Sequence, residues 1–381
     1  MSASIFGFKT KITLHAIYFN LYHVNFFTNV IHMLYFAFSL LNRQMNQFYC
    51  NDPFPLESGE VLHGITIAYN TYGKLNPDKS NVVWVCHALT ANSEASVWWP
   101  GVVGEGQVID PEKYFIVCAN ILGSCYGSTG PLSPDSSGKS YYHHFPLITI
   151  RDMVHAHLLL CRHLEIDSIY LLMGGSMGGY QVLEWTVMNP GMIRRMFLIA
   201  TSASESAWGI AVHTTQRLAI EADGTWAHET EKAGSKGLKA ARAIGMLSYR
   251  NYGILVQKQT DDDKEKLDHY RASSYMQYQG DKLVKRFNAF SYWLLTKAMD
   301  THHLSRSRGK SLETVLKTIV QPALIIGISS DILCPVQEQH YLAHHIISST
   351  YAEIDSIYGH DGFIIESVAI SYHLQRWLAD G

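Results

Sequence analysis

The chain has 381 residues, 47% of them hydrophobic and 17% charged, with a formal net charge of -3. That composition excludes a disordered chain, and the charge balance supplies neither the basic face that nucleic acid needs nor an acidic tail. The length fits two or three domains, or one large α/β domain carrying an insertion. None of the 20 histidines falls in an HExxH or zinc-finger spacing. Cys50, Cys86, Cys118, Cys125, Cys161 and Cys334 stand singly, with no CxxC. They read as the reduced thiols of a cytoplasmic protein, not as a disulfide framework.

Residues 12–41 are rich in Phe, Tyr, Ile and Leu, but His15, Asn20, His23, Asn25, Asn29 and His32 interrupt them. A spanning helix needs about 20 mostly apolar residues, and no small-residue cleavage site follows a charged start. Residues 1–44 are therefore expected to lie outside the fold, with Met45 as the true start; a weak membrane anchor is the alternative. Globular patterning starts near Phe54, and from Val61 short apolar runs alternate with helical patterns, as in a mostly parallel α/β sheet. The expected buried strands are Asn81–Cys86, Tyr114–Ala119, Ser168–Met173, Met196–Thr201, Ala323–Ile328 and Tyr351–Ile354. Between Ser202 and about Lys317 no strand pattern occurs; this polar, helix-patterned stretch carries the charge run Asp261–Lys266 and reads as a lid. The expected organisation is a core over 45–204, a helical lid over 205–317, and the rest of the core over 318–381.

Strand Ser168–Met173 runs into Gly174-Gly175-Ser176-Met177-Gly178-Gly179, and Tyr180–Met188 is patterned as a helix that Asn189-Pro190-Gly191 stops. Strand, G-x-S-x-G, helix is a nucleophile elbow. The sharp turn needs small neighbours, which Gly174 and Gly178 supply. Ser176 would then sit at a helix N-terminus, where dipole and free N–H groups favour negative charge. The Met177 N–H becomes one oxyanion donor.

A serine nucleophile needs a base and the base an orienting acid, here in the chain order Ser, Asp, His. Asp331 follows strand Ala323–Ile328, and His360 follows strand Tyr351–Ile354 in a glycine-flanked loop. Alone, Asp331 would pass for a helix cap and His360 for a surface histidine. Together, at strand ends, they complete the candidate triad Ser176–Asp331–His360. The second oxyanion donor is expected in the loop Cys86–Asn92, at the N–H of Leu89 or a neighbour. Trp98 and Trp99 are expected to be pocket wall or core.

These segments resemble the homoserine O-acetyltransferases, α/β-hydrolase-fold enzymes of methionine biosynthesis. The likeness rests on His87-Ala88-Leu89-Thr90, Cys125–Pro131, Thr149–Val154, Gly174–Gly179 with Leu183-Glu184-Trp185, Ile199–Thr201, Gly237-Leu238 with Ala241-Arg242, and Asp355–Gly362. It covers nearly everything from Phe54 to the C-terminus. The resemblance implies a ping-pong transfer from acetyl-CoA, a co-substrate, to the L-homoserine hydroxyl, with no tightly bound cofactor and no metal. It further implies Arg242 for the α-carboxylate, Asp361 for the α-amino group, Tyr249 and Thr90 as pocket residues, and a homodimer. Unaided, Arg242 would pass for a lid surface charge; Arg217 is a second arginine for which direct contact is less expected. Two positions depart from the family pattern: His213 stands where relatives usually carry Asn, and Cys334 where Phe is usual.

Three rivals remain at this stage. Related enzymes use succinyl-CoA as donor or acylate serine, which leaves homoserine or serine O-succinyl transfer as the alternative within the transferases. An esterase would run on the same triad, with water competing for the acyl-enzyme. A non-catalytic binding protein would need no intact Ser, Asp and His. Gly138-Lys139-Ser140 lacks the first glycine of a P-loop and is set aside. The stretch Phe287–Met299 is apolar on more than one face, which suits burial against both core and a partner copy.

Overall fold

The computed structural model describes residues 45–380, so residues 1–44 and the expectation about their status lie outside the described residues. The strands are β1 Asn46–Pro55, β2 Val61–Tyr72, β3 Val82–Cys86, β4 Phe115–Ala119, β5 Leu171–Gly175, β6 Met196–Ile199, β7 Ala323–Ile328 and β8 Ser349–Ile354. The helices are α1 Ala95–Trp98, α2 Ile150–His163, α3 Met177–Met188, α4 Ala207–Glu221, α5 Ser235–Tyr249, α6 Tyr252–Gln259, α7 Arg271–Val284, α8 Ala289–Asp300, α9 Leu312–Leu316, α10 Val336–His345, α11 Gly362–Ile365 and α12 Ser367–Ala379.

All eight strands form one sheet in the order β1-β2-β4-β3-β5-β6-β7-β8. From β4 to β8 every pairing is parallel, while β1–β2 and β2–β4 are antiparallel. This is the expected α/β-hydrolase architecture. The parallel strands from β3 to β7 read as apolar runs because both faces are covered: Val82 and Trp84 enter one core cluster, Val83 and Val85 the other. β8 departs from the expected buried strand: it is the sheet's other edge, its sequence is STYAEI, and only Ile354 is buried. Burying such side chains contributes about 1.5–3 kcal/mol each.

The antiparallel β1–β2 hairpin was not anticipated. β1 is an edge strand, mostly exposed, with Pro53 in it and a register shift between Cys50 and Pro53. Edge strands lack the two-sided apolar signature and tolerate proline. The hairpin is tied down by ion pairs: Arg151 on α2 meets Glu57 at 2.6 Å and Glu184 on α3 at 2.5 Å. Thr149 and Asp152 form the capping box that starts α2. The family-like segments Thr149–Val154 and Leu183–Trp185 thus carry framework contacts.

Six helices, α4 to α9, intervene between β6 and β7. The charge run at 261–266 falls in the α6–α7 connection, where Lys266 pairs with Asp261 at 2.6 Å. α8 falls inside the stretch read as two-faced, but its Phe290, Tyr292, Leu294, Leu295 and Met299 are buried within this chain. Its apolarity is accounted for by intrachain packing and gives no argument for a partner. Among the described residues, no helix is long and apolar enough to cross a membrane.

Candidate active site

The turn between β5 and α3 positions Ser176. Its backbone sits at φ 54°, ψ -129°, a conformation that costs a non-glycine residue on the order of 1–3 kcal/mol. Neighbouring structure fixes it: the Ser176 N–H donates to Ile199 C=O at 3.1 Å, and the Thr201 hydroxyl donates to Ser176 C=O at 2.9 Å. A Cβ on Gly178 would lie 2.2 Å from the Cys86 carbonyl oxygen, so a larger residue there would push α3 off β3. The glycines of the motif serve close backbone approach as well as the turn itself.

His360 and Asp331 reach Ser176 from the ends of β8 and β7. His360 Nε2 lies 2.8 Å from Ser176 Oγ, and His360 Nδ1 lies 2.6 Å from Asp331 Oδ2. A carboxylate only accepts, so Nδ1 carries the hydrogen and Nε2 is left to take the serine proton. Asp331 Oδ1 accepts from the N–H groups of Leu333 and Cys334 at 2.8 and 2.9 Å. All three side chains are buried. Burial alone would lower the His360 pKa, but the charge and hydrogen bond of Asp331, with Asp361 and Glu205, hold it above its ordinary value. Gly359, at φ 65°, brings the base loop against the end of α5; a Cβ there would meet the Tyr249 carbonyl oxygen at 2.8 Å.

Met177 opens α3, so its N–H has no intrahelical acceptor. Leu89 lies in the loop after β3, and a buried brace holds that loop. His87 Nε2 accepts from Ile121 N–H at 3.1 Å while Nδ1 faces Ala88 C=O at 2.9 Å. Gln181 on α3 donates to the C=O groups of His87 and Met177 at 3.1 and 3.2 Å, joining the two candidate oxyanion segments. Burial lowers the His87 pKa to about 4, which keeps the ring neutral.

These parts open into a cavity of about 540 Å³ whose wall includes Leu89, Thr90, Ser176, Arg242, Tyr249, His360 and Asp361. The expected catalytic and substrate residues are thus brought together, Met177 beneath the nucleophile. Arg242 stacks over the Tyr249 ring at 5.2 Å. Asp361 has a partner that sequence reasoning missed: Arg250 Nε lies 3.0 Å from its Oδ2. Burial raises the Asp361 pKa against the pull of Arg250, Arg242 and His360. Trp98 joins the wall while Trp99 is core, its indole N–H donating to Phe363 C=O at 3.0 Å. Arg217 is absent from the wall and pairs with Asp300 at 2.6 Å.

Also missed were Gln181, Tyr126, Lys282, Arg286, Asp300 and the brace role of His87. Arg286 donates to the Thr90 carbonyl and the Tyr126 hydroxyl at the cavity wall. Gln181 carried a local signal, five residues past the nucleophile, and His87 and Tyr126 fell in the segments that carry the family likeness, without a role assigned to them. Asp331, Cys334 and His360 come within 4.8 Å of one another as possible metal ligands. The Asp331 oxygens and both His360 nitrogens are committed to the bonds above, and burial holds the Cys334 thiol well above its ordinary pKa. That donor set does not fit a metal ion. Cys334 is buried within the acid loop itself, its N–H on Asp331.

A family model for the α/β hydrolase fold matches residues 81–230. A homoserine O-acetyltransferase of Cyclobacterium marinum is 47% identical over 331 residues, covering 87% of this chain and 94% of that protein. A homoserine O-acetyltransferase structure from Bacillus anthracis superposes with a TM-score of 0.80 at 23% identity, covering 88% of this chain and 97% of that one. The structure of esterase E22 does so equally, with a TM-score of 0.80 at 22% identity over 88% of this chain and 99% of that one, so the likeness between folds does not separate acyl transfer from hydrolysis. The sequence likeness does separate them, and on it the chain belongs to the homoserine O-acetyltransferase family of α/β-hydrolase-fold enzymes.

Proposed function

We propose that this enzyme moves the acetyl group of acetyl-CoA to the side-chain hydroxyl of L-homoserine, giving O-acetyl-L-homoserine and CoA for methionine biosynthesis. Ser176 Oγ gives its proton to His360 Nε2 and adds to the thioester carbonyl. The N–H groups of Leu89 and Met177 hold the oxyanion. Collapse expels the CoA thiolate, which takes the proton from His360, and leaves acyl-Ser176. The homoserine hydroxyl then gives its proton to His360 and attacks the acyl carbon. Collapse of the second oxyanion frees Ser176 Oγ, which recovers that proton. Asp331 fixes the ring tautomer and meets the charge of the imidazolium in both steps.

The observation that carries this reading is the meeting of unlike charges beside the nucleophile. Arg242 and Asp361 share one cavity with Ser176 and His360. A guanidinium and a carboxylate suit the two charged groups of an amino acid, and bound acceptor displaces the water that would hydrolyse the acyl-enzyme. Tyr249 and Thr90 complete the wall. The helices over 205–317 act as the lid. A cytoplasmic location and a homodimer belong to the same reading.

Free thiol release from acetyl-CoA by the purified chain tests this. Release that needs L-homoserine and vanishes in Ser176→Ala supports the transferase. Release equally fast without any amino acid makes water the acceptor and the chain an esterase. Succinyl-CoA and L-serine run beside it rank donor and acceptor.

A further inference from the structure

The cavity contains a second histidine held by a carboxylate. His213 on α4 is buried, forms part of the cavity wall, and has its Nδ1 2.9 Å from Oδ1 of Asp300, the last residue of α8. Arg217, one turn along α4, binds the other Asp300 oxygen at 2.6 Å and the Thr214 hydroxyl oxygen at 2.9 Å. Asp300 is therefore fixed from two sides and its charge is met by the guanidinium. Its carboxylate only accepts, so His213 Nδ1 carries a hydrogen, and in the neutral ring Nε2 is an acceptor. Glu205, the other carboxylate near the ring, is engaged by the Tyr180 hydroxyl at 3.0 Å and the Ser206 N–H at 3.1 Å. Among the described residues the His213 side chain makes its hydrogen bond through Nδ1, and the residue lines the cavity.

We propose that His213 is a specificity-determining residue that accepts a hydrogen bond from the α-ammonium group of the acyl acceptor. This rests on the reading of the acceptor as an amino acid. An ammonium group has three donors. Asp361 can meet part of that demand, but its Oδ2 lies 3.0 Å from Arg250 Nε. Ser176 and His360 are occupied by the chemistry, the Tyr126 hydroxyl already accepts from Arg286, and the other wall hydroxyls, Thr90 and Tyr249, are donors as well as acceptors. His213 supplies an acceptor of fixed tautomer whose orientation is set before substrate arrives, so little entropy is lost in forming the contact. Asp300 and Arg217 act through it as positioning residues.

The test compares L-homoserine with its des-amino analogue, 4-hydroxybutanoate, as acceptors for wild type, His213→Phe and His213→Asn. The formation of acyl-enzyme is followed separately by the p-nitrophenyl acetate burst. His213→Phe fills the ring volume without an acceptor and is expected to raise KM for L-homoserine roughly tenfold, the size of a lost hydrogen bond to a charged group. KM for 4-hydroxybutanoate and the burst stay unchanged. His213→Asn, which keeps an acceptor, gives a smaller change in the same direction, and it carries the test alone if the Phe variant does not fold. Equal losses on both acceptors, a smaller burst, or unaltered discrimination in the folded variants would overturn the proposal. A wild type that shows no homoserine-dependent thiol release sinks the parent reading instead.

Discussion

The parallel strands and the inserted helices build one cavity by different means. The strands place Ser176, Asp331 and His360 at their C-terminal ends, where backbone geometry fixes each side chain: a positive φ at Ser176, two N–H groups on Asp331, a glycine before His360. The helices place Arg242, Tyr249 and His213 through side-chain packing, with partners such as the α8 terminus far away in sequence. Reaction geometry thus rests on the sheet, while in the proposed reading recognition is shared: Arg242, Tyr249 and His213 come from the inserted helices, Thr90 and Asp361 from loops that follow β3 and β8. Damage to the first region should stop both half-reactions, and damage to the second should weaken the acceptor step alone.

The sharpest contrast comes from Ser176→Ala. It removes the atom that is acylated, so turnover should fall by about 10⁶-fold or to background, for thioester and p-nitrophenyl ester alike. A stopped-flow burst should disappear with it. Asp331→Asn should lower kcat about 10⁴-fold by letting the wrong His360 tautomer form. It should also move the pH profile. The base must be neutral, and Asp331 helps hold the His360 pKa above its ordinary value, so activity fades as pH falls through that raised pKa. Removing the carboxylate charge shifts the acid limb of kcat/KM to lower pH; a limb that stays in place would mean another group controls it.

On the helical side, Arg242→Lys keeps a charge but loses the two-pronged fork and the stack on Tyr249. KM for L-homoserine should rise about 10- to 100-fold, with the burst rate unchanged. A fall in the burst would show that the two regions are not separable. The smallest effect at neutral pH concerns the fold. Burial lowers the pKa of His87 and His157 to about 4 and of His302 to about 3. Their unfolded value is near 6.5, so below that pH the unfolded chain binds protons that the folded chain refuses. Stability should fall below about pH 6.5, down to about pH 4 for His87 and His157 and about pH 3 for His302, at a limiting slope of about 1.4 kcal/mol per pH unit for each histidine. Urea unfolding between pH 7 and 5 measures it, and His302→Gln should flatten the slope.

Much of this molecule is legible in the chain itself because the governing rules are local. Two-sided burial makes strands β3 to β7 apolar runs, from Val82 to Ile328. The glycine spacing at 174–178 marks the elbow because backbone must pass backbone at van der Waals distance. The order Ser176, Asp331, His360 follows from strand order, and the insertion shows as a loss of strand pattern between β6 and β7. What escaped depends on pairing between distant segments. β1 joined the sheet although its sequence lacks a buried strand's pattern, since an edge strand needs only one partner. Gln181 bracing the His87 loop, Arg250 beside Asp361, and Asp300 holding His213 each join residues between 87 and 111 positions apart. Such partners are chosen by three-dimensional packing and by the need to satisfy buried charge. No spacing rule along the chain encodes them, and only the tertiary structure decides which arginine faces the cavity, as Arg242 does, and which pairs with a neighbour, as Arg217 does.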